Sequence, residues 1–247
     1  MTVLYEDNHI IAVNKTCNEI VQGDKTGDTP LSELVKAYIK EKYDKPGEVF
    51  LGVTHRLDRP TSGVVLFART SKALARLNDM FKSHTEIQKT YWAIVANAPA
   101  APEGRLENYL IRNEQQNKSY IARVDKDGNP LNKEAKKAVL SYKTIARGDR
   151  YTLLEINLET GRHHQIRCQL AAIGCPIKGD LKYGAKRSNP DGGICLHARR
   201  IEFIHPVSKQ PISIVAPVPE DTLWQALERQ VMESITDGIC TVDKKQN

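Results

Sequence analysis

Residues 63–69 read GVVLFAR, a continuous apolar run of strand length with no polar alternation. A strand with one wet face alternates, so this run needs cover on both faces and belongs inside a sheet. Suitable neighbours lie on either side. The opening reads as two short strands, 3–6 and 9–14 (HIIAVN), joined by the turn-forming Glu6-Asp7-Asn8, and KTYWAIVAN at 89–97 is rich in aromatic and β-branched residues. From 105 to 158 the pattern is one of antiparallel strands with polar turns such as DGNP (127–130), and two more strands surround HPVSKQP at 205–211.

Helical spacing covers the remainder. Thr29 caps a helix with Pro30 in its first turn and Leu31, Leu34, Val35, Tyr38 and Ile39 on one face. Ser71 caps a second, carrying Leu74, Leu77 and Phe81. A third spans roughly 162–173, with Ile166, Leu170 and Ile173 in phase and a stop at Gly174, and the last uses Leu223, Leu227 and Val231. No repeat or Gly/Ser-rich linker divides the chain. The expectation is one mixed α+β domain over 1–235, followed by a loosely ordered tail at 236–247.

At 247 residues and 40% hydrophobic content the chain can bury a large core. It has no apolar run of 18 residues, and its acidic N-terminus is unlike a secretory signal, so the expected location is the cytoplasm. Cys17, Cys168, Cys175, Cys195 and Cys240 are scattered and odd in number, which suggests neither a disulfide framework nor a zinc knuckle. The net charge of +6 suits a polyanionic partner without requiring one.

Just before the buried run stands HRLDRPTS, with Asp58 between Arg56 and Arg59. If 53–58 is extended, Thr54, Arg56 and Asp58 share one side. A neighbouring guanidinium favours the ionised carboxylate, which fits a nucleophile or base better than an acid. The same residues also read as a surface ion-pair cluster beside a turn. At 158–180, Arg162, His163 and His164 open the predicted helix, and guanidinium plus helix-start amides make an anion site for a phosphate or for Asp58. Adjacent histidines diverge on a helix and lack a third ligand at standard spacing, so no metal is expected. Tyr91 and Trp92 point to opposite faces of their strand, leaving one free to face a cleft, although strand aromatics are commonly core. Asp180 and Tyr183 in KGDLKYG read as parts of a turn.

HRLDRPTSG (55–63), KTYWAIV (89–95), TGRHHQIR (160–167), GCPIKGDLKYG (174–184) and LHARRIEFIHP (196–206) together resemble the RluA-type pseudouridine synthases over roughly residues 1–217. The resemblance implies a single mixed, mainly antiparallel sheet with flanking helices and a central catalytic cleft. It implies uridine isomerisation in rRNA or tRNA, without metal or nucleotide cofactor. Asp58 becomes the catalytic aspartate, Arg167 its basic partner, and Tyr91 the ring that packs on the target base and assists the final proton loss from carbon 5. Arg56 is expected to hold the RNA strand open, and Arg59, Arg162 and His164 to contact RNA. The chemistry agrees, because a paired uridine must be turned out into a pocket with a stacking ring and a basic rim.

Two positions depart from the family pattern. Lys15-Thr16-Cys17-Asn18 stands where K-P-x-G is usual, which puts the path of that loop in question, and His163 replaces a commoner Ser, Thr or Asn. The sequence starts in the catalytic region, so an N-terminal S4-type module is not expected, and because no sizeable exposed apolar helix face stands out a monomer is expected. The rival readings are an RNA-binding protein without turnover and a metal-dependent phosphoesterase built on Asp58, Asp180 and the histidines.

Overall fold

A computed structural model of the chain describes residues 1–83 and 86–243. One eleven-stranded sheet organises them. In chain order its strands are β1 (Thr2–Glu6), β2 (Ile10–Lys15), β3 (Gly52–Val53), β4 (Ser62–Ala68), β5 (Ile87–Val95), β6 (Glu103–Asn113), β7 (Lys118–Ile121), β8 (Lys136–Arg147), β9 (Thr152–Leu158), β10 (Leu196–Ile204) and β11 (Pro211–Val215). They lie side by side as β1-β2-β4-β10-β5-β9-β8-β6-β7, with β11 on β10 and β3 on β4. Every pairing is antiparallel except β4 with β10, where Ser62 and Gly63 lie beside His197 and Ala198. The fold is α+β, as the patterning predicts.

The apolar run is buried along its whole length in β4, against β2 and α2 (Ser71–Ser83). Phe67, Leu66, Ile10, Ile11, Ile94, Leu153 and Leu154, all fully buried, belong to one core cluster along β2, β4, β5 and β9, with β10 paired between β4 and β5. The other helices are α1 (Leu31–Lys42), α3 (Gln165–Ala172) and α4 (Thr222–Asp243), with one 3₁₀ turn at Leu181–Tyr183. No helix among the described residues is long and apolar enough to cross a membrane.

Several helix ends differ from the sequence expectation. Pro30, in extended conformation, holds the cap position of α1, and the first free amides go to backbone carbonyls, Leu31 to Ile20 and Ser32 to Val21. A Thr29 side-chain cap is therefore unnecessary. Leu34 falls off the buried face at 41% exposure, while Leu31, Val35 and Ile39 stay on it. Thr70, not Ser71, caps α2, its Oγ1 accepting from the Ala73 amide at 3.2 Å. α3 starts at Gln165 rather than 162 because His164 is left-handed, with φ of 51°. α4 continues past 236 to Asp243, with Val231 the last core residue and 232–236 exposed, and 244–247 lie outside the described residues.

Candidate active site

The loop from Thr54 to Thr61 leaves the sheet between β3 and β4. It is not a strand, so the alternation expected for 53–58 does not hold. β3 pairs with β4 only through Gly52 and Val53; beyond that point side chains take over, with the Leu66 amide donating to His55 Nε2 at 3.0 Å. The backbone is thus released toward the cleft while still anchored. Its carbonyls are then tied down one by one. Lys15 Nζ donates to the carbonyls of Thr16, Arg59 and Thr61 at 2.9, 2.9 and 2.7 Å, Asn18 N donates to Arg59 O at 3.0 Å, and Ile194 N donates to Pro60 O at 3.0 Å. Burial pulls the Lys15 pKa down to about 8. The unusual tetrapeptide works because Asn18 takes a left-handed φ of 71°, a conformation asparagine tolerates where glycine is usual.

This frame leaves the Asp58 side chain 31% exposed in a cleft of about 1010 Å³. Arg167 Nη1 donates to its Oδ2 at 3.1 Å. On its other edge Arg167 makes a two-pronged pair with Asp180, Nε to Oδ2 at 2.7 Å and Nη2 to Oδ1 at 2.8 Å. Burial alone disfavours the Arg167 charge, but the Asp180 pair and then Asp58 more than offset it, raising its pKa. Asp180, read from sequence as a turn residue, is 1% exposed and fixes the cation that meets Asp58. Because Arg167 separates the two carboxylates by binding both, they do not converge on a common cation site.

His164 completes the positioning of Arg167. Arg167 Nη1 lies 3.0 Å from His164 Nε2, and a guanidinium can only donate, so Nε2 accepts and Nδ1 carries the proton toward Tyr183 Oη at 3.0 Å. Tyr183 Oη in turn accepts from the Ser119 amide at 2.8 Å. Burial, then the Arg167 charge, drives the His164 pKa to about 2. Both ring nitrogens are thus engaged inside the protein: buried and neutral at the edge of the cleft, His164 orients Arg167. His163 stacks on it at a centroid distance of 3.8 Å and reaches Ser119 Oγ at 2.9 Å and Asn117 Oδ1 at 3.1 Å.

Arg59 also departs from expectation. Although adjacent to Asp58, its guanidinium turns to the 24–28 loop, with Nη1 on Asp28 Oδ2 at 2.7 Å, Nη2 on Thr26 Oγ1 at 2.7 Å and Nη2 at 3.5 Å from Asp24 Oδ2. Asp58 is therefore paired from α3 and not by its sequence neighbours. Arg56 is exposed on the cleft wall with no ion pair among the described residues. Arg162 lines the same cleft and donates from Nε to Lys137 O at 2.9 Å. Tyr91 faces the cleft and Trp92 the other side of β5, under Arg199 at 4.4 Å. Burial first, and then the Asp58 charge, raises the Tyr91 pKa, so its ring is presented as a neutral phenol rather than a phenolate. Arg112 and Lys182 add positive charge to the same cleft; no motif in the sequence marks Arg112, and Lys182 lies in the GCPIKGDLKYG segment with nothing to single it out.

His164 and His197, both buried, and the half-buried His55 set an acid limit. Burial lowers the pKa of His55 to about 3 and of His197 to about 4, alongside His164 at about 2. Unfolded histidine protonates near pH 6.5, so below that pH the unfolded chain binds more protons than the native one and stability falls as pH falls. Each group contributes about 1.4 kcal/mol per pH unit, together about 4 kcal/mol per unit, until its native pKa is reached. The urea midpoint should drop steeply from pH 6.5 toward 4.5, and His197→Gln should flatten that slope by about a third. A midpoint constant over this range would contradict the neutral assignment.

A profile of the family described as RNA pseudouridylate synthase matches residues 9–172, which include Asp58, Tyr91 and Arg167. Ribosomal large subunit pseudouridine synthase D of Xylella fastidiosa is 34% identical over 234 residues, 90% of this chain and 67% of the relative. tRNA pseudouridine synthase C of Vibrio cholerae is 31% identical over 245 residues, 92% of this chain and 94% of the relative. The solved structure of human RNA pseudouridylate synthase domain containing 4 superposes with a TM-score of 0.75 at 22% identity, covering 94% of this chain and 93% of that one, and so shares the fold. With its sheet, its motif order and the matched span all in agreement, the chain belongs to the RNA pseudouridylate synthase family.

Proposed function

We propose that this chain isomerises uridine to pseudouridine in ribosomal or transfer RNA, with Asp58 as the catalytic aspartate. The observation that carries the assignment is a carboxylate held by a buried guanidinium on one side and open to a large cleft on the other. A uridine paired in RNA cannot reach such a group, so the base is turned out into the cleft, where the neutral ring of Tyr91 supports it. The ionised carboxylate then acts on the sugar, either by attack or by taking a proton, and both routes ask for an anion fixed in direction. Arg167 supplies that fixity, itself held by Asp180 and His164. Arg56, Arg162, Arg112 and Lys182 line the cleft and suit the phosphate backbone.

Purified chain should release tritium to water from RNA labelled at carbon 5 of uridine and isolated from cells lacking the protein. Mapping pseudouridine in the same RNA before and after treatment then identifies the target. Absence of release from both the ribosomal and the transfer RNA fractions would overturn the assignment.

A further inference from the structure

Lys89 is one cation in the cleft that the chemistry at Asp58 leaves unused. It is 9% exposed and lines the cleft, yet its ammonium has no hydrogen bond or ion pair among the described residues. Its polar head lies 5.7 Å from the centroid of Phe81, whose other neighbour is the His55 ring, stacked at 4.7 Å. The ammonium keeps some access to the cleft, and a largely desolvated cation with no anion beside it is a costly arrangement that an arriving anion would relieve. Burial lowers the Lys89 pKa, and the Lys89 charge in turn helps keep His55 neutral. No imidazolium therefore competes for that anion.

Position indicates what the anion is. Lys89 and Tyr91 are two apart on β5 and share its cleft face, about 7 Å from one another along the strand, close to one nucleotide step. Arg56 lines the same cleft, exposed and with its guanidinium unpaired among the described residues. The nearby carboxylates are committed elsewhere, Asp58 to Arg167 and Asp24 and Asp28 to Arg59. We propose that Lys89, with Arg56, forms a phosphodiester subsite on the Phe81 side of Tyr91, holding the linkage next to the uridine delivered to Asp58. This subsite rests on the isomerase reading for the identity of that uridine, but its charge chemistry is testable alone.

The test is a titration of fluorescein-labelled oligouridylate across a potassium chloride series, for wild type, Lys89→Met and Lys89→Arg, together with their melting temperatures. One lost phosphate contact makes the slope of log affinity against log salt shallower by about 0.7 for a single strand. Lys89→Met should show that change, binding more weakly at low salt and converging on wild type at high salt, while Lys89→Arg keeps the wild-type slope. Because methionine removes a desolvated charge at similar volume, Lys89→Met should melt at or above wild type. An unchanged slope would overturn the subsite, and so would a melting temperature lowered by several degrees or a failure to fold, since either means Lys89 serves the fold. A wild type that binds with the expected slope but releases no tritium would instead overturn the isomerase assignment and leave the subsite standing.

Discussion

Asp58→Ala should cut tritium release by about 10²–10⁴-fold or more, while the protein stays folded and keeps its affinity for RNA. Asp58→Asn should do the same, since a neutral amide of the same shape can neither attack the sugar nor take its proton. The fold should tolerate both changes because of the order in which the charges are arranged. Arg167 and Asp180 are the buried pair, with side chains 6% and 1% exposed, and Asp58 is the half-exposed third member. Removing Asp58 leaves the buried guanidinium with both bonds to Asp180. Asp180→Ala, in contrast, strands the buried cation beside a single partner and should cost about 3–5 kcal/mol of stability as well as activity. Circular dichroism melts and tritium release measured on the same preparations separate the two effects. Turnover retained in Asp58→Asn would remove that residue from the chemistry.

The contrast also shows which parts of the site local sequence reveals. The strands were legible because period and apolar run length report burial directly, so β1, β2, β4 and β5 lie within about two residues of their sequence-read positions. The pairing of Asp58 with Arg167 was not: the two are 109 residues apart, and only the family motifs brought them together. Adjacency misled for Arg59, because a long side chain beside a turn goes to the nearest free acid, here the 24–28 loop. Asp180 was visible only as a turn acid within a family motif, with no sign that it is buried against Arg167. One acid in a glycine-flanked loop has no periodicity, and its burial is set by α3 packing above it. The start of α3 was read too early because His164 breaks the helix through its left-handed backbone, a choice imposed by Arg167 and Tyr183 on its ring. Asn18 is the converse case, a non-glycine whose residue type announces the backbone it adopts.

Gly63→Ala should be the most destabilising single methyl addition near the site, costing more than about 4 kcal/mol and lowering the melting temperature by about 8–16 °C. Gly63 has φ of +117°, which L-residues rarely adopt, and a Cβ there would overlap the backbone nitrogen and oxygen of Ala198. The overlap falls on the parallel join of β4 and β10, where Gly63 lies beside Ala198. Backbone is the obstacle, so no rotamer change relieves it and the two strands must separate. Gly128→Ala separates strain from overlap, since Gly128 also has positive φ, +81°, but an added Cβ meets nothing within 4 Å. That change should cost only about 1 kcal/mol. The site would register the difference too. Asp58 is joined to β4 by the turn in which Thr61 N donates to Asp58 O at 3.0 Å, whereas Arg167 is carried by α3, so a shift of β4 moves one partner and not the other. At a temperature where Gly63→Ala remains folded, its tritium release should therefore fall while that of Gly128→Ala matches wild type. Equal melting temperatures for the two variants would mean that the close approach of β4 to β10 is not what fixes the aspartate loop.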